Sequence, residues 1–459
     1  MCLTYGLAVV LVIFEGIIMQ CEGGCGFSSN RLQNAPLLPN DIIELIISKT
    51  DFQTIHKTIR EKIVRTTDIA MSRILQSHII LIHPREFYGD FNEYYQGGQF
   101  FLRIGSYETL LKFFERFDDQ VKKIAICYCA TNVDTQKAIN ENIIKKYAKT
   151  FEELRFLSRS DEEFGEEVPE GENDIIFPKV KKLLMWMDTR RNKFKLNLIF
   201  PKLESLQLVG NESYENCMEN VKGLKELMIR TDLITDQQLD GIFANNGNMT
   251  VIGLERPSST EIIHSVAKHL TKLKTFKVYR PRINFLLRAN NHPVYELPSV
   301  NHFHFQLNDM VIRIGDVELS FNMPHLKKLT LSGSHANNDR IIDFINYFKE
   351  LEILEVLFPK NSAIQIIDNL KYIKEFTAIF CESDFVLLKD LFENFDKESK
   401  LQTLKFLNFH EPSYRKYKKE MKKVNILLKN SMKPTWTLSH GKQNEMNQKY
   451  LMFRREPCT

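Results

Sequence analysis

The stretch at residues 203–211 constrains the fold of this chain more than any other. It reads Leu-x-x-Leu-x-Leu-x-x-Asn, and its leucines point inward along a short strand. Asn211 then turns the chain, and its side-chain amide satisfies backbone groups inside the turn. One such unit cannot bury its own apolar face, so copies of it must stack on either side.

Weaker copies of this apolar pattern recur along most of the chain, with steps between starts of about 21 to about 30 residues. The anchor positions are Val121/Ile124/Ile126, Phe151/Leu154/Phe156, Val180/Leu183/Met185, Leu203/Leu206/Leu208, Leu224/Leu227/Ile229, Met249/Ile252/Leu254, Leu273/Phe276/Val278, Val300/Phe303/Phe305, Leu326/Leu329/Leu331, Leu351/Leu354/Val356, Ile373/Phe376/Ala378 and Leu401/Leu404/Phe406. This spacing resembles that of leucine-rich-repeat proteins. The resemblance implies an α/β fold, a leucine-rich-repeat solenoid or horseshoe with parallel strands on the concave face and helices on the convex face.

The segments between the strands contain helical signals. Residues 235–243 begin with a Thr cap and carry apolar residues at helical spacing, and residues 259–267 repeat the arrangement. A helix is also predicted over 107–117 and an additional strand over 78–83. The aromatic, glycine-containing stretch 87–101 predicts a loop. The solenoid as a whole is expected over residues 69–410.

Residues 37–68 precede the repeats and predict a small helical segment. It opens with Leu-Pro, where proline suits the first turn of a helix, and isoleucines follow at helical spacing. This opening resembles an F-box, and the resemblance implies docking to a Skp-type adaptor of a cullin ubiquitin ligase. The candidate docking residues are Leu38, Pro39, Ile42, Ile43 and Ile46. The alternative is a helical cap that shields the first repeat from water.

The repeat at residues 224–243 contains Ile-Thr-Asp at 234–236. This resembles the helix start in the Cys-containing, ribonuclease-inhibitor-like class of leucine-rich repeats, which often follows an F-box. Together the two resemblances imply a non-enzymatic protein-recognition module. It would act as a substrate-binding adaptor of the ligase and hold its substrate on the concave face.

The first residues of the chain leave two locations open. Residues 3–14 form an apolar run of signal-peptide length, and Gly23 is a small residue at a candidate cleavage point. The cysteines do not cluster in flanking caps, as they would in a secreted repeat protein. We therefore expect a cytoplasmic or nuclear protein with an apolar leader (1–23) and a linker (24–36). The alternative is a secreted or surface recognition protein, cleaved near Gly23, with no ubiquitin role.

Charge distinguishes two further segments. Residues 161–174 contain no basic residue and predict a solvated acidic insertion, or alternatively a docking site for a basic partner. Residues 411–432 predict a basic, amphipathic C-terminal capping helix with a solvated charged face, or alternatively a contact to phosphate or an acidic membrane. A polar tail follows at 433–459. The net charge of +4 on 459 residues gives no case for a nucleic-acid partner.

The motifs that mark enzymes, cofactor sites and metal sites do not occur in the sequence. There is no phosphate-binding glycine loop, no His-Glu-x-x-His and no Gly-x-Ser-x-Gly. His302 and His304 lie two apart on one strand, but no third metal ligand is identifiable. The apolar run at the N-terminus is too short to span a bilayer. We expect no catalytic residues, no metal and no cofactor.

The surface of the strands is therefore the expected binding site. The residue between the second and third anchors of each strand points to the concave face, and neighbouring residues join it. This row mixes polar, charged and large apolar side chains, as protein interfaces do. The candidate partner-binding residues are Arg155, Trp186, Gln207, Met228, Arg230, Lys277, Tyr279, His302, His304, Lys328, Glu355 and Lys405.

Overall fold

Short parallel strands dominate the part of the chain that this computed structural model describes. Apart from positions 77, 97–98, 118, 219 and 343, the described residues are 75–82, 91–104, 107–127, 133–157, 175–186, 195–209, 218–282, 294–307, 321–333, 342–357, 372–379, 400–407, 436–443 and 448–455. The chain divides into two compact units, Met1–His78 and Ile79–Thr459, and the description that follows is of the second.

Several segments singled out in the sequence lie outside the described residues. They are the leader 1–23, the linker 24–36, the F-box-like segment 37–68 with Leu38, Pro39, Ile42, Ile43 and Ile46, the acidic segment 161–174 and the basic segment 411–432.

The described strands and helices are short. In chain order the strands are β1 (His78–Ile82), β2 (Phe91–Gln96), β3 (Gln99–Ile104), β4 (Lys123–Cys127), β5 (Glu153–Leu157), β6 (Lys182–Trp186), β7 (Ser205–Val209), β8 (Glu226–Arg230), β9 (Val251–Glu255), β10 (Thr275–Tyr279), β11 (Tyr295–Glu296), β12 (His302–Leu307), β13 (Phe321–Asn322), β14 (Lys328–Gly333), β15 (Ile353–Leu357), β16 (Glu375–Ile379), β17 (Thr403–Leu407), β18 (Trp436–Gln443) and β19 (Gln448–Arg455). The α-helices are α1 (Tyr107–Phe117), α2 (Val133–Ile139), α3 (Leu196–Ile199), α4 (Asp236–Asn245) and α5 (Glu261–His269). A π-helical turn (Asn140–Lys145) follows α2, and a 3-10 turn (Thr231–Leu233) follows β8.

The strands predicted from the apolar triplets are all present, as β4 to β10, β12 and β14 to β17. Each is parallel to the next of the series, and β1, the additional strand, is parallel to β4. In every pair the second anchor lies opposite the second anchor of its neighbour: Leu206 lies opposite Leu227, and Phe303 lies opposite Leu329. The chain is thus an α/β protein with a long, mostly parallel sheet built from repeat-like units.

The predicted anchors form the core on one face of this sheet. Each anchor except Phe156, which is half-buried, is buried. Phenylalanine fills several positions where the pattern usually has leucine, and the ring of Phe303 lies 5.7 Å from those of Phe276 and Phe321. Each fully buried ring stabilises the fold by roughly 1.5–3 kcal/mol relative to exposure. The core is therefore continuous across successive strands.

Local capping signals set the helix starts. Thr235 accepts a hydrogen bond from the Gln238 backbone N–H, and the Gln238 side chain accepts one from the Thr235 backbone, which completes a capping box before α4. Helix α1 has the predicted bounds. Helix α5 begins at Glu261, whose N–H donates to Ser259 Oγ, slightly later than the sequence pattern suggested.

Two antiparallel hairpins differ from the sequence-based expectation. The stretch expected as a loop at 87–101 instead contains β2 and β3, with Tyr94 opposite Phe101. The sequence Gly97-Gly98 between two aromatic runs is a hairpin signal that outweighs the loop composition. Within the expected polar tail, β18 and β19 also form a hairpin, and β19 pairs antiparallel with β17, the last parallel strand. This pairing covers an otherwise open strand edge.

Candidate functional site

We call the face of the parallel sheet that lies opposite the buried anchors the open face. Its central row consists of the middle residues of the parallel strands. In order these are Ala125, Arg155, Leu184, Gln207, Met228, Gly253, Lys277, His304, Thr330, Glu355, Thr377 and Lys405. Side chains two positions before or after the row share this face because strands alternate.

The beginning of the open face is closed. Ala125 was expected to be accessible, but it is fully buried and packs with Ile79 and Leu81 of β1. Both faces of β1 are buried, since Ile80 and Ile82 belong to the main core. A partner therefore has no access to the row at β1 and β4.

A hydrogen-bonded chain of polar side chains occupies the open face between β12 and β15. Thr330 donates its hydroxyl proton to Glu355 Oε2 at 2.8 Å. The hydroxyl oxygen of Thr330 lies 3.1 Å from His302 Nε2. Because the hydroxyl proton is already donated to Glu355, His302 must be the donor in this second bond and carries its proton on Nε2. Lys328 Nζ lies 2.8 Å from Glu355 Oε1. The chain runs from an imidazole through a hydroxyl to a carboxylate that already has its counter-ion.

A second group of side chains lies beside this hydrogen-bonded chain. His304 Nε2 is 3.1 Å from Ser332 Oγ, and the His304 ring centroid is 5.0 Å from that of Tyr279. Lys277 precedes His304 in the central row and lies directly opposite it in the strand register. Among the residues that the structure describes, Lys277 makes no hydrogen bond or ion pair through its side chain.

Burial decides the protonation of this surface. Burial, assisted by the charge of Lys328, lowers the pKa of His302 to about 4, and burial with the charge of Lys277 lowers the pKa of His304 to about 4. Both imidazoles are therefore neutral at neutral pH. Burial opposes ionisation of Glu355, but hydrogen bonds from Lys328 and Thr330 outweigh it and lower the Glu355 pKa.

Met228 and Gly253 form an apolar patch next to Lys277. A Cβ added to Gly253 would lie 2.5 Å from Met228 Sδ, so the thioether of Met228 lies across the glycine. The glycine itself is buried beneath it. The absence of a side chain at this position lets the methionine lie flat on the sheet, because any Cβ would displace it.

An arginine-rich edge follows the C-terminal ends of β8, β9 and β10. Arg230 Nε donates to Asp232 Oδ1 at 2.8 Å, and Arg256 reaches the same carboxylate at 3.4 Å. One strand further on, Arg280 lies 3.7 Å from Glu255. Burial opposes ionisation of Asp232, but hydrogen bonds and charges of Arg230 and Arg256 lower its pKa.

Of the expected partner-binding residues, the structure brings Met228, Arg230, Lys277, Tyr279, His302, His304, Lys328 and Glu355 onto neighbouring strands. Arg155 lies apart on β5, where its guanidinium Nε bonds Glu153 at 2.7 Å. Gln207 lies on β7 and Lys405 on β17. Trp186 ends β6, opposite Leu157 and Val209 in the backbone register.

Sequence reasoning identified Arg230 but missed the other two arginines of this edge. Arg256 and Arg280 follow the last residue of successive strands, and each precedes a proline. These prolines, Pro257 and Pro281, occupy the position at which the repeat at residues 203–211 has Asn211. Both arginines adopt the same left-handed backbone, with φ of 55° and 48°. An Arg-Pro dipeptide at equal offsets in two repeats was the available signal.

A serine, an aspartate and a histidine meet on the helical side of the protein. Ser265 donates to Asp240 Oδ1 at 2.8 Å, and His269 Nε2 lies 3.0 Å from the same oxygen. Serine and histidine thus both bond the aspartate, and the histidine is not placed to activate the serine. The group joins α4 to α5. Within the described ranges, no group of His, Cys, Asp and Glu could hold a metal ion.

Comparisons with known proteins assign no family. No protein-family model matches the chain, and no curated protein matches it. Among solved structures, the crystal structure of a protein from Bacteroides fragilis matches at 12% sequence identity. The match covers 47% of this chain and 73% of that chain, with a TM-score of 0.31, which supports no assignment. No helix among the described residues is long and apolar enough to cross a membrane.

Proposed function

We propose that this chain is a leucine-rich-repeat recognition protein that binds a protein partner on its open face. One observation carries the proposal. From β8 to β15 the open face is an in-register array of mostly half-buried polar, aromatic and apolar side chains, and those on β12, β14 and β15 hold one another in place. Side chains fixed in this way lose little entropy on binding, which favours recognition.

The dimensions of this region suit a polypeptide. Six strands (β8, β9, β10, β12, β14 and β15) at about 4.8 Å spacing extend over roughly 24 Å, and five residues of each strand add about 13 Å in the other direction. Tyr279 and Arg230 are of the types that most often anchor protein interfaces. The exposed helical side, in contrast, contains the internally bonded group around Asp240.

Site-specific photo-cross-linking tests this proposal. A photoreactive amino acid replaces Gln306 in one variant and Asn245, an exposed residue of α4, in a control. Gln306 lies two positions after His304 on β12 and therefore on the open face. We expect one discrete protein adduct after irradiation of cells that express the Gln306 variant, and none with the control. Equal labelling from both positions, or no adduct from the open face, would refute the proposal.

The role in ubiquitin ligation rests on residues 37–68 and remains a prediction from sequence. If it is correct, a Skp-type adaptor should co-purify with the wild-type chain and be lost on the double change Leu38→Ala and Ile42→Asp. The alternative is a secreted recognition protein with the same open face. N-terminal sequencing of secreted material that begins at Gly24 would exclude the ligase role and leave the recognition proposal intact.

A further inference from the structure

The open face and its adjoining edge have an excess of positive charge around β8, β9 and β10. We define the cationic edge as Arg230, Arg256, Lys277, Arg280 and Arg282, which lie on these strands or directly after them. The described carboxylates that pair with this group are Asp232 and Glu255. Counted over the described residues alone, five cations against two carboxylates leave an excess of three positive charges.

The excess is concentrated on particular side chains. Lys277 and Arg282 form no side-chain ion pair with any residue in the described part of the chain. Arg256 and Arg280 have partners, but at 3.4 and 3.7 Å and with 39% and 55% of their side chains exposed. Contacts of this length between exposed groups are weak and can be exchanged for a closer carboxylate.

The backbone positions two of these arginines identically. Arg256 and Arg280 have φ of 55° and 48°, a left-handed conformation that non-glycine residues rarely adopt. The following residues, Pro257 and Pro281, are buried, and a proline disfavours the right-handed helical conformation in the residue before it. The Arg256 N–H also donates to the Tyr279 carbonyl at 2.7 Å. The turn therefore recurs one strand apart and presents two guanidinium groups at the same end of the sheet.

The surroundings favour a peptide over a nucleic acid. Asp232, Glu255 and Glu355 lie among or beside the cations and would repel a continuous phosphate backbone. An extended peptide instead places its carboxylates at discrete positions. The patch formed by Met228 over Gly253 offers contact to an apolar side chain of such a segment. The net charge of the whole chain is only +4, so the excess is local.

We propose that the cationic edge binds an extended, acidic segment of the protein partner, with carboxylates of that segment bonded to Lys277 and Arg282. This inference rests on the proposed function and specifies the chemistry of the partner. Arg256 and Arg280 contribute by exchanging their long internal contacts for carboxylates of the partner.

The test measures binding of a fluorescein-labelled deca-glutamate peptide to the full chain by fluorescence anisotropy at low salt. The test variant is Lys277→Gln with Arg282→Gln, and the control is Lys268→Gln with Lys272→Gln on the helical side, which removes the same charge. We expect the test variant to weaken binding roughly tenfold and the control less than twofold. Equal unfolding midpoints of the two variants establish that both fold.

Three results would overturn the inference: no binding of the peptide to the wild type, equal weakening by both variants, or equally tight binding of a deca-thymidine oligonucleotide. None of them affects the proposed function. A discrete adduct from the photoreactive residue at position 306 would still establish a partner on the open face. If the photoreactive residue gave no adduct while the peptide still bound, the proposed function would be refuted. The cationic edge would then bind acidic peptides by charge alone, without a protein partner on the open face.

Discussion

Asn246 is the residue whose replacement tests the packing of the repeats most directly. It follows α4 and is 3% exposed. Its side-chain nitrogen donates to the carbonyls of Val221 and Ile242 at 2.9 and 2.8 Å, and its side-chain oxygen accepts from the Leu224 N–H at 2.8 Å. One amide thus satisfies a carbonyl at the end of α4 and two backbone groups of the turn before β8.

Replacement of Asn246 by alanine leaves these three backbone groups buried without a partner. Each unsatisfied group costs about 1–3 kcal/mol, and partial relaxation reduces the sum, so we expect a loss of roughly 3–5 kcal/mol in the free energy of unfolding. The neighbouring Asn245 is exposed, and Asn245→Ala should change the free energy by no more than about 0.5 kcal/mol. Urea denaturation followed by circular dichroism measures both values.

A second variant separates hydrogen bonding from packing. Asn246→Asp keeps the side-chain volume and the acceptor for the Leu224 N–H. Its other carboxylate oxygen faces the carbonyls of Val221 and Ile242, which it repels. We therefore expect Asn246→Asp to be at least as destabilising as Asn246→Ala, with faster hydrogen exchange at the Leu224 amide in the alanine variant. A value for Asn246→Asp within about 0.5 kcal/mol of wild type would refute the reasoning.

Two further predictions concern α4 and the open face. Thr235→Ala removes the capping box of α4 and should lower the free energy of unfolding by about 1 kcal/mol. Thr260→Ala should have little effect, because Thr260 caps α5 without a side-chain hydrogen bond. Equal losses for the two variants in urea titrations would contradict this prediction. The folded pKa of His302 and His304 is about 4 against an ordinary 6.5, so the unfolded chain binds more protons between these values. The contribution of the two histidines to the free energy of unfolding should therefore be fully present above pH 6.5 and be lost as the pH falls toward 4. The loss is at most about 1.4 kcal/mol per pH unit for each histidine. Because both side chains are partly exposed, we expect the actual loss to be smaller. The double change of His302 and His304 to Gln should flatten this dependence in urea titrations at pH 5 and 7, and an undiminished dependence in that variant would contradict the prediction.

The neutral histidines also bear on what the open face can recognise. His302 donates through Nε2 to Thr330, and Thr330 donates to Glu355. Because Lys328 already neutralises Glu355, this part of the surface presents hydrogen-bonding groups and little net charge. The charged part lies toward Lys277 and the cationic edge. A partner of the proposed kind would therefore meet a polar half and a positive half of the same face, and this asymmetry would favour one direction of binding.

The sequence alone determined the strands, their order and the side of the sheet that forms the core. Apolar anchors at a regular spacing are a local property, and each unit buries its face only against a copy of itself, so the anchors around Leu206 and Phe303 had a single consistent arrangement. The start of α4 followed from Thr235 and Gln238, which lie three positions apart and recognise each other without help from the rest of the fold.

Tertiary structure decided the features that depend on residues from different repeats. Asn246 finds its partners 22 and 25 positions earlier in the chain, and Thr330 finds Glu355 25 positions later. Stacking brings such residues together, and nothing in their local sequence distinguishes them from exposed neighbours. The burial of Ala125 and the pairing of β19 with β17 have the same origin, because both depend on which element covers a surface that the repeat pattern leaves open.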